Sequence, residues 1–259
     1  MERQAGLSVV VLPGLPLFAP GMSIAEEVVA AAARCGKLPG QGDVVVIAQK
    51  IVSKTEDRAV SLGNVVVSDP ARKLASETGR NPALAQLILD ESSEILRATR
   101  IAIVTRHRSG HVLANAGIDA SNIDGGTDGT VLLWPKDSDA SARTIRADLT
   151  RLTGNAPAIV IADSMGRAWR IGTLGTAIGV AGLAMLEDRR GQADLMGRTL
   201  QATIIAVADA VASAAVLAMG EGAEGTPVAI VRGAERWWSA EDGPGTSAGL
   251  RPLDQDMFR

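Results

Sequence analysis

The run Ala158-Ile-Val-Ile-Ala162 limits what this chain can fold into. Five apolar residues in succession, β-branched at the centre, have the length and stiffness of a strand covered by other elements, so the chain needs a buried sheet. The run ends in Asp163-Ser164-Met165-Gly166-Arg167, which sets a carboxylate and a hydroxyl at a strand end. A second stretch of the same design, Asn115-Ala-Gly-Ile-Asp-Ala-Ser-Asn122, follows the apolar residues 111–114 and carries Asp119, Ser121 and Asn122. A third, Met219-Gly-Glu-Gly-Ala-Glu-Gly-Thr226, closes an alanine-rich helical run and precedes a strand at 228–231. Taken alone, the loop from Asn115 reads as an Asx-rich turn. Carboxylate, hydroxyl and carboxamide oxygens are hard donors, however, and three such loops point to Mg2+ or Mn2+ and the phosphates such ions carry.

The frame around these loops is a folded chain. Its 259 residues suffice for one large or two small domains, and 46% apolar content can bury a substantial core. Aromatics make up only 2% and tyrosine is absent, so the core must be Val, Ile, Leu and Ala, and Trp134, Trp169, Trp237 and Trp238 stand out. A net charge of −3 without a long basic stretch argues against nucleic acid and acidic membrane surfaces as partners. No run approaches the ~20 apolar residues of a membrane span, and no signal-peptide pattern opens the chain. The single cysteine, Cys35, excludes an intrachain disulfide and a Cys-rich zinc site, which fits a cytoplasmic protein.

In chain order, residues 8–12 are expected as a strand and 13–20, with three prolines, as an irregular loop. Ser23-Ile-Ala-Glu26 is a capping box for a helix to about Arg34, stopped by Gly36. Residues 43–48 read as a strand. Residues 49–56 read as its β-like continuation, on which Lys50 or Lys54 either neutralises a phosphate or lies on a solvated edge. Asp69-Pro70 and Asn81-Pro82 predict N-caps with proline at the first helical position, for helices to about Thr78 and about Leu96. Residues 101–105 and 111–114 form a hairpin that places His107 and His111 in solvent. A strand at 131–134 and a helix over 138–153 follow, the helix stopped by Gly154, with Arg143, Arg146 and Arg151 on its wet face. A close-packed strand within 172–182, a strand at 200–206 and a small-residue helix at 208–219 complete the pattern. The tail from Ala234 reads as loop or linker. Strands and helices mix without strict alternation, which gives an α+β fold with a mixed sheet. Neither a P-loop nor a dinucleotide fingerprint is present.

Pro13-Gly-Leu-Pro16, Ser53-Lys54, the Asn115–Asn122 loop, Asp163-Ser-Met-Gly-Arg167 and Met219-Gly-Glu-Gly222, in this order, resemble the coenzyme F420-0:L-glutamate ligase family over about residues 8–233. The resemblance implies a GTP-dependent γ-glutamyl ligase of coenzyme F420 biosynthesis. Such an enzyme adds L-glutamate, once or repeatedly, to the tail of the deazaflavin F420-0 through an acyl phosphate. It also implies two Mg2+ or Mn2+ sites, with a monovalent cation such as K+ helpful. By the same resemblance Pro13, Gly14, Leu15, Pro16, Gln49, Lys50, Lys54 and Asn122 hold GTP. Met219, Gly220, Glu221, Gly222, Ala223, Glu224, Gly225 and Thr226 also touch the nucleotide. Asp119 and Asp163 hold one metal, Ser164 and Glu221 the second, and Asp119, Asp163 and Lys54 carry the charge of the transferring phosphoryl group.

The implied architecture is an intertwined, two-lobed α+β homodimer with its active site in a groove at the dimer interface. Residues 1–233 would form the ligase region and 234–259 a tail or linker. The ending from Arg251 resembles the approach to a nitroreductase-like flavin domain that some relatives carry next. Two departures stand out: the family often has Ser-Thr where this chain has Gln49-Lys50, and Ser164 replaces the commoner threonine while keeping its oxygens. Arg167 and Arg170 suit a substrate carboxylate or phosphate, or else a buried ion pair. The residues alone leave open a metal-nucleotide-binding module without turnover, or a GTP-using hydrolase or ligase acting on another carboxylic acid.

Overall fold

In the computed structural model, which describes residues 6–120 and 129–256, the chain begins with β1 (Ser8–Val11), α1 (Ile24–Arg34), β2 (Val44–Ala48), α2 (Gln49–Thr55) and β3 (Ala59–Ser61). Next come α3 (Asp69–Thr78), α4 (Pro82–Glu91), β4 (Ser92–Ala98), β5 (Ile103–His107), β6 (Val112–Ala114) and β7 (Thr130–Leu132). The last third holds α5 (Ser138–Thr153), β8 (Ala158–Gly166), β9 (Thr173–Ala181), β10 (Leu186–Asp188), β11 (Ile204–Ala206), α6 (Val207–Met219) and β12 (Val228–Arg232). Ser121 and Asn122 lie outside the described residues.

Five strands form one sheet in the order β1-β12-β2-β8-β9, with β2 and β8 parallel and the other neighbours antiparallel. The fold is α+β with a mixed sheet, as its element pattern implies. The apolar runs of β2 and β8 are continuous because both faces of the sheet are covered. Val45, Ile47, Ile159 and Ile161 join Ile24, Val28, Ile145 and Leu149 of α1 and α5 on one side. Val44, Val46, Val160 and Ala162 join Ala208, Val211, Ala212 and Ala215 of α6 on the other. Small residues let β9 lie close to both layers: a Cβ on Gly175 would sit 2.5 Å from the Ala212 carbonyl oxygen, and one on Gly179 would collide with the Ser138 carbonyl. A three-stranded antiparallel sheet, β4-β5-β6, packs with α3 and α4 around Leu74, Ile88 and Ile103. No helix among the described residues is long and apolar enough to cross a membrane.

Several local expectations change. Residues 49–55 are helical, not β-like: the chain leaves the sheet at Ala48, and the turn buries Gln49, Ile51, Val52 and Ser53 while Lys50 and Lys54, four apart, share the open face. Tertiary burial overrides the β propensity of Ile51 and Val52. The helix from Asn81 ends at Glu91 because residues 92–98 pair with β5, so it does not reach Leu96. Ser68, not Asp69, caps α3, accepting from the Ala71 amide and setting Pro70 one position further in. Asp163 to Gly166 form no loop, since β8 runs on through them against β9.

Three expected solvent residues are buried instead. His107 and His111 are 4% and 5% exposed, because the hairpin folds inward against Trp134. Arg146, 4% exposed, turns off the wet face of α5 to bond the carbonyls of Pro157 and Ala240 at 3.2 Å, the Ser239 carbonyl at 2.5 Å and Asp242 at 2.8 Å. The segment after Ala234 is therefore loop that is tied to α5. Thr246 adds to this by donating its amide and hydroxyl to Asp139, at 3.1 and 3.0 Å.

Candidate active site

A cavity of about 520 Å3, within the range of small-molecule sites, opens at the end of the parallel pair β2 and β8. Its wall is built where β2 stops at Ala48 and β8 runs on past it, paired with β9. Beyond β2 the first turns of α2 present Gln49, Lys50 and Lys54, and β8 presents Asp163 and Ser164. The proline-rich loop after β1 supplies Leu15, Pro16, Leu17 and Phe18, and the whole segment from Met219 to Thr226 forms the opposite rim. The rim is closed on itself, since the Thr226 hydroxyl donates to the Met219 carbonyl at 2.8 Å and the Gly222 amide donates to Glu224 at 2.8 Å.

The structure brings most of the sequence-predicted residues together. Leu15, Pro16, Gln49, Lys50, Lys54, Asp163, Ser164 and residues 219–226 share this one cavity. Asp119 reaches it through Lys50, whose Nζ lies 2.7 Å from Asp119 Oδ2. Pro13 and Gly14 stand just outside the lining; Gly14, at φ +71°, turns the loop so that its carbonyl accepts from Arg34 at 2.7 Å. Gln49 is buried and accepts from the Ser53 hydroxyl at 2.9 Å, so its role includes holding the start of α2. Arg167 and Arg170 are exposed at the tip of the β8–β9 hairpin and do not line the cavity; Arg167 donates to the Gly172 carbonyl at 3.1 Å. Residues that the sequence reading missed include Leu17, Phe18, Ile51 and Val216 in the lining, and Trp134 beside Asp163.

Asp163 is the electrostatic focus. Burial pushes its carboxyl up to about 6, more than the Trp134 indole and the Ser164 amide lower it, and the nearby Asp119 charge adds to the rise while Lys50 opposes it. Trp134 Nε1 donates to Asp163 Oδ2 at 2.8 Å, and the Ser164 amide donates to Oδ1 at 2.9 Å. Two carboxylates, one of them pushed up by burial and by the other's charge, are a donor set that fits a hard cation. Among the described residues no group of three or more His, Cys, Asp or Glu is gathered as a metal centre, and Glu221 lies exposed on the rim. The Lys50–Asp119 pair is about a quarter exposed on each side, so it is worth about 1 kcal/mol or less and can be exchanged for a doubly charged ion.

A second cleft, of about 400 Å3, lies among α1, α2 and α5. Its carboxylate Glu56 already accepts from Ser141 and from the Lys136 amide, and none of the motif residues reaches it.

Fold and cavity define a mixed-sheet α+β protein whose cleft sets carboxylates against lysines under a glycine-rich rim. The chain belongs to the F420-0:gamma-glutamyl ligase family, whose model matches residues 14–233. It is 43% identical over 254 residues to the coenzyme F420:L-glutamate ligase of Methanothermobacter thermautotrophicus, covering 98% of this chain and 99% of that protein. Relatives of the same name from Methanocaldococcus jannaschii and Archaeoglobus fulgidus are 42% and 38% identical, each over about 85% of both chains.

Proposed function

We propose that this chain is an amide-bond-forming ligase that adds L-glutamate to coenzyme F420-0, using GTP and divalent Mg2+ or Mn2+ in the cavity at the end of β2 and β8. The observation that carries the reading is the convergence on one cavity of residues as far apart as Leu15, Lys50, Asp163 and Glu221, which are those the family resemblance assigns to nucleotide and metal. The family membership and the names of the relatives supply the acceptor and the amino acid.

A carboxylate does not form an amide at neutral pH because its oxygen is a poor leaving group. The acceptor acid therefore takes the γ-phosphoryl group of GTP, releasing GDP, and the amine of glutamate then attacks the acyl carbon and expels phosphate. Lys50 and Lys54, on one face of α2, bind phosphate oxygens, and the rim from Met219 to Thr226 seats the nucleotide with Leu15 and Pro16. Asp119 and Asp163 would hold one divalent ion, Ser164 and Glu221 a second; when bound, such ions supply neutralisation of the phosphate charge. No side chain forms a covalent intermediate. Arg167 and Arg170 are the cations available, outside the cavity, to an anionic acceptor that extends past Ser164.

The same reading includes the two-lobed homodimer. Leu195 and Met196 beyond β10, and Leu217 on α6, are 96%, 81% and 87% exposed, apolar surface of the kind a second copy would cover. Mass spectrometry after mixing the protein with F420-0, L-glutamate, GTP and Mn2+ tests the proposal. A ladder rising by one glutamyl residue per step, absent when GTP or metal is omitted, is expected. GDP release with an unchanged acceptor would instead indicate a hydrolase or another acid substrate, and no GDP with any acceptor a binding module.

A further inference from the structure

We infer that Trp134 is a positioning residue that sets both carboxylates of the metal site, Asp119 and Asp163, at their working separation. The inference rests on the proposed metal site and concerns a residue that lies outside it. Trp134 is 1% exposed, the largest fully buried side chain among the described residues, in a chain with few aromatics. Its indole nitrogen donates to Asp163 Oδ2 at 2.8 Å. Two residues before it, Leu132 exchanges both backbone hydrogen bonds with Asp119, at 3.0 and 2.8 Å. One short segment, residues 132–134, thus holds Asp119 by its backbone and Asp163 by its side chain, although the two carboxylates are 44 positions apart in sequence.

The chemistry of the donor matters as much as its place. An indole N–H donates one hydrogen bond, cannot accept one and does not ionise. It therefore fixes the rotamer of Asp163 without cancelling its charge, as an arginine or lysine at the same point would, and leaves that charge for a cation. The ring itself has little freedom. His107 and His111 pack against it with centroids at 5.0 and 5.7 Å, and Ser109 bridges the two imidazoles at 2.8 and 2.9 Å. On the edge that carries the nitrogen, Gly117 lies so close that a Cβ there would collide with the indole, and Gly117 follows Asn115 and Ala116 in an unbroken left-handed turn, at φ 52°, 54° and 71°. Ala116 is an alanine in a backbone region that costs on the order of 1 kcal/mol, a strain that the packing of this turn must outweigh. The turn leads into Asp119, so the indole is wedged between the two arms that carry the carboxylates.

Trp134→Phe keeps an aromatic six-membered ring in the pocket and removes the donor together with the five-membered ring that carries it. Mn2+ binding to wild-type and variant protein, read from the electron paramagnetic resonance signal of free Mn2+, is expected to weaken by roughly 10- to 100-fold in the variant, the range for an outer-shell partner of a metal ligand. KM for Mn2+ should rise accordingly while KM for L-glutamate holds. Unchanged Mn2+ affinity in a folded Trp134→Phe protein, with or without a loss of thermal stability, would reduce Trp134 to a packing residue and overturn the inference. No Mn2+ binding by the wild-type protein would remove the metal site and this inference with it. Should the variant fail to fold, the indole N–H resonance of Trp134 in the wild type, separated from the others by Trp→Phe at 169, 237 and 238, decides. Movement on Mg2+ addition supports the coupling, and an unmoved resonance overturns it.

Discussion

Asp163 shows how a single carboxyl can lower the stability of the protein that needs it. Its ordinary value is 3.8 and burial carries it to about 6, so the folded protein binds a proton more tightly than the unfolded chain does. The stability this contributes is fully present below 3.8 and is lost as pH rises through about 6, by on the order of 3 kcal/mol. Metal-free protein should therefore become less stable between pH 4 and 7, and Mg2+ or Mn2+ should restore the difference by binding the folded carboxylate. Denaturant unfolding at several pH values, with chelator and with Mn2+, checks both halves. Asp163→Asn should flatten this part of the profile, though it leaves one of the two donors, the Trp134 indole or the Ser164 amide, without an acceptor. Turnover should fall at least about 100-fold in Asp163→Ala and Asp119→Ala, beyond what loss of an outer-shell partner costs, while the circular dichroism spectrum stays close to that of the parent. Near-normal turnover in both variants would remove the metal assignment.

At the scale of elements, legibility followed the range of the deciding contact. Helix α5 spans Ser138–Thr153 as expected because its signals are local: Asp137 caps it and Gly154 ends it in the left-handed region. Helix α2 was misread because Ile51 and Val52 carry β propensity, and only packing beneath the sheet decides for a helix. The site motifs were legible for the same reason as α5, since oxygen donors and glycines sit contiguously in short stretches; Trp134 was not, because its bond to Asp163 spans 29 positions and leaves no local pattern. His107 and His111 failed in the same way. Their burial comes from a hairpin folding onto a ring that lies more than 20 positions ahead. His111 also ties this hairpin to the Ala177 carbonyl in β9, and burial, with His107 beside it, holds its imidazole below the usual 6.5. A histidine held neutral in the fold contributes stability present above 6.5 and lost as pH falls below it, so we expect β5 and β6 to loosen on acidification, read as faster amide exchange there than in β8. Between α5 and β9 the limiting contact is Gly179. Gly179→Ala would drive a methyl into the Ser138 carbonyl and should cost about 1 to 3 kcal/mol in denaturant unfolding.

For the whole molecule, the open question is what the residues after β12 do for a sheet that is complete without them. Arg146 gives the answer. Its guanidinium lies under Gly182, whose Cβ would collide with it, and takes acceptors from Ser239, Ala240 and Asp242, so a buried cation on the central helix is neutralised by the segment that comes last in the chain. Ending the chain at residue 238 would leave that cation with the Pro157 carbonyl as its remaining acceptor among those bonds. Asp242 is 42% exposed, so the loss is that of hydrogen bonds to a charged group, about 1.5 to 3 kcal/mol, and not that of a fully buried pair. In a chain of this size each kcal/mol lowers the melting temperature by about 2 to 4 °C, so the truncated protein should melt roughly 5 to 10 °C lower. Removing both sides is a different case: Arg146→Met in the truncated chain takes away the stranded charge and should recover much of that loss, since replacing both partners by apolar groups is close to neutral. If Arg146→Met deepens the loss instead, the residues after 238 stabilise the fold through the buried Thr246, which donates to Asp139 of α5, and not through the cation. The two melting curves decide between a lock at Arg146 and one at Asp139.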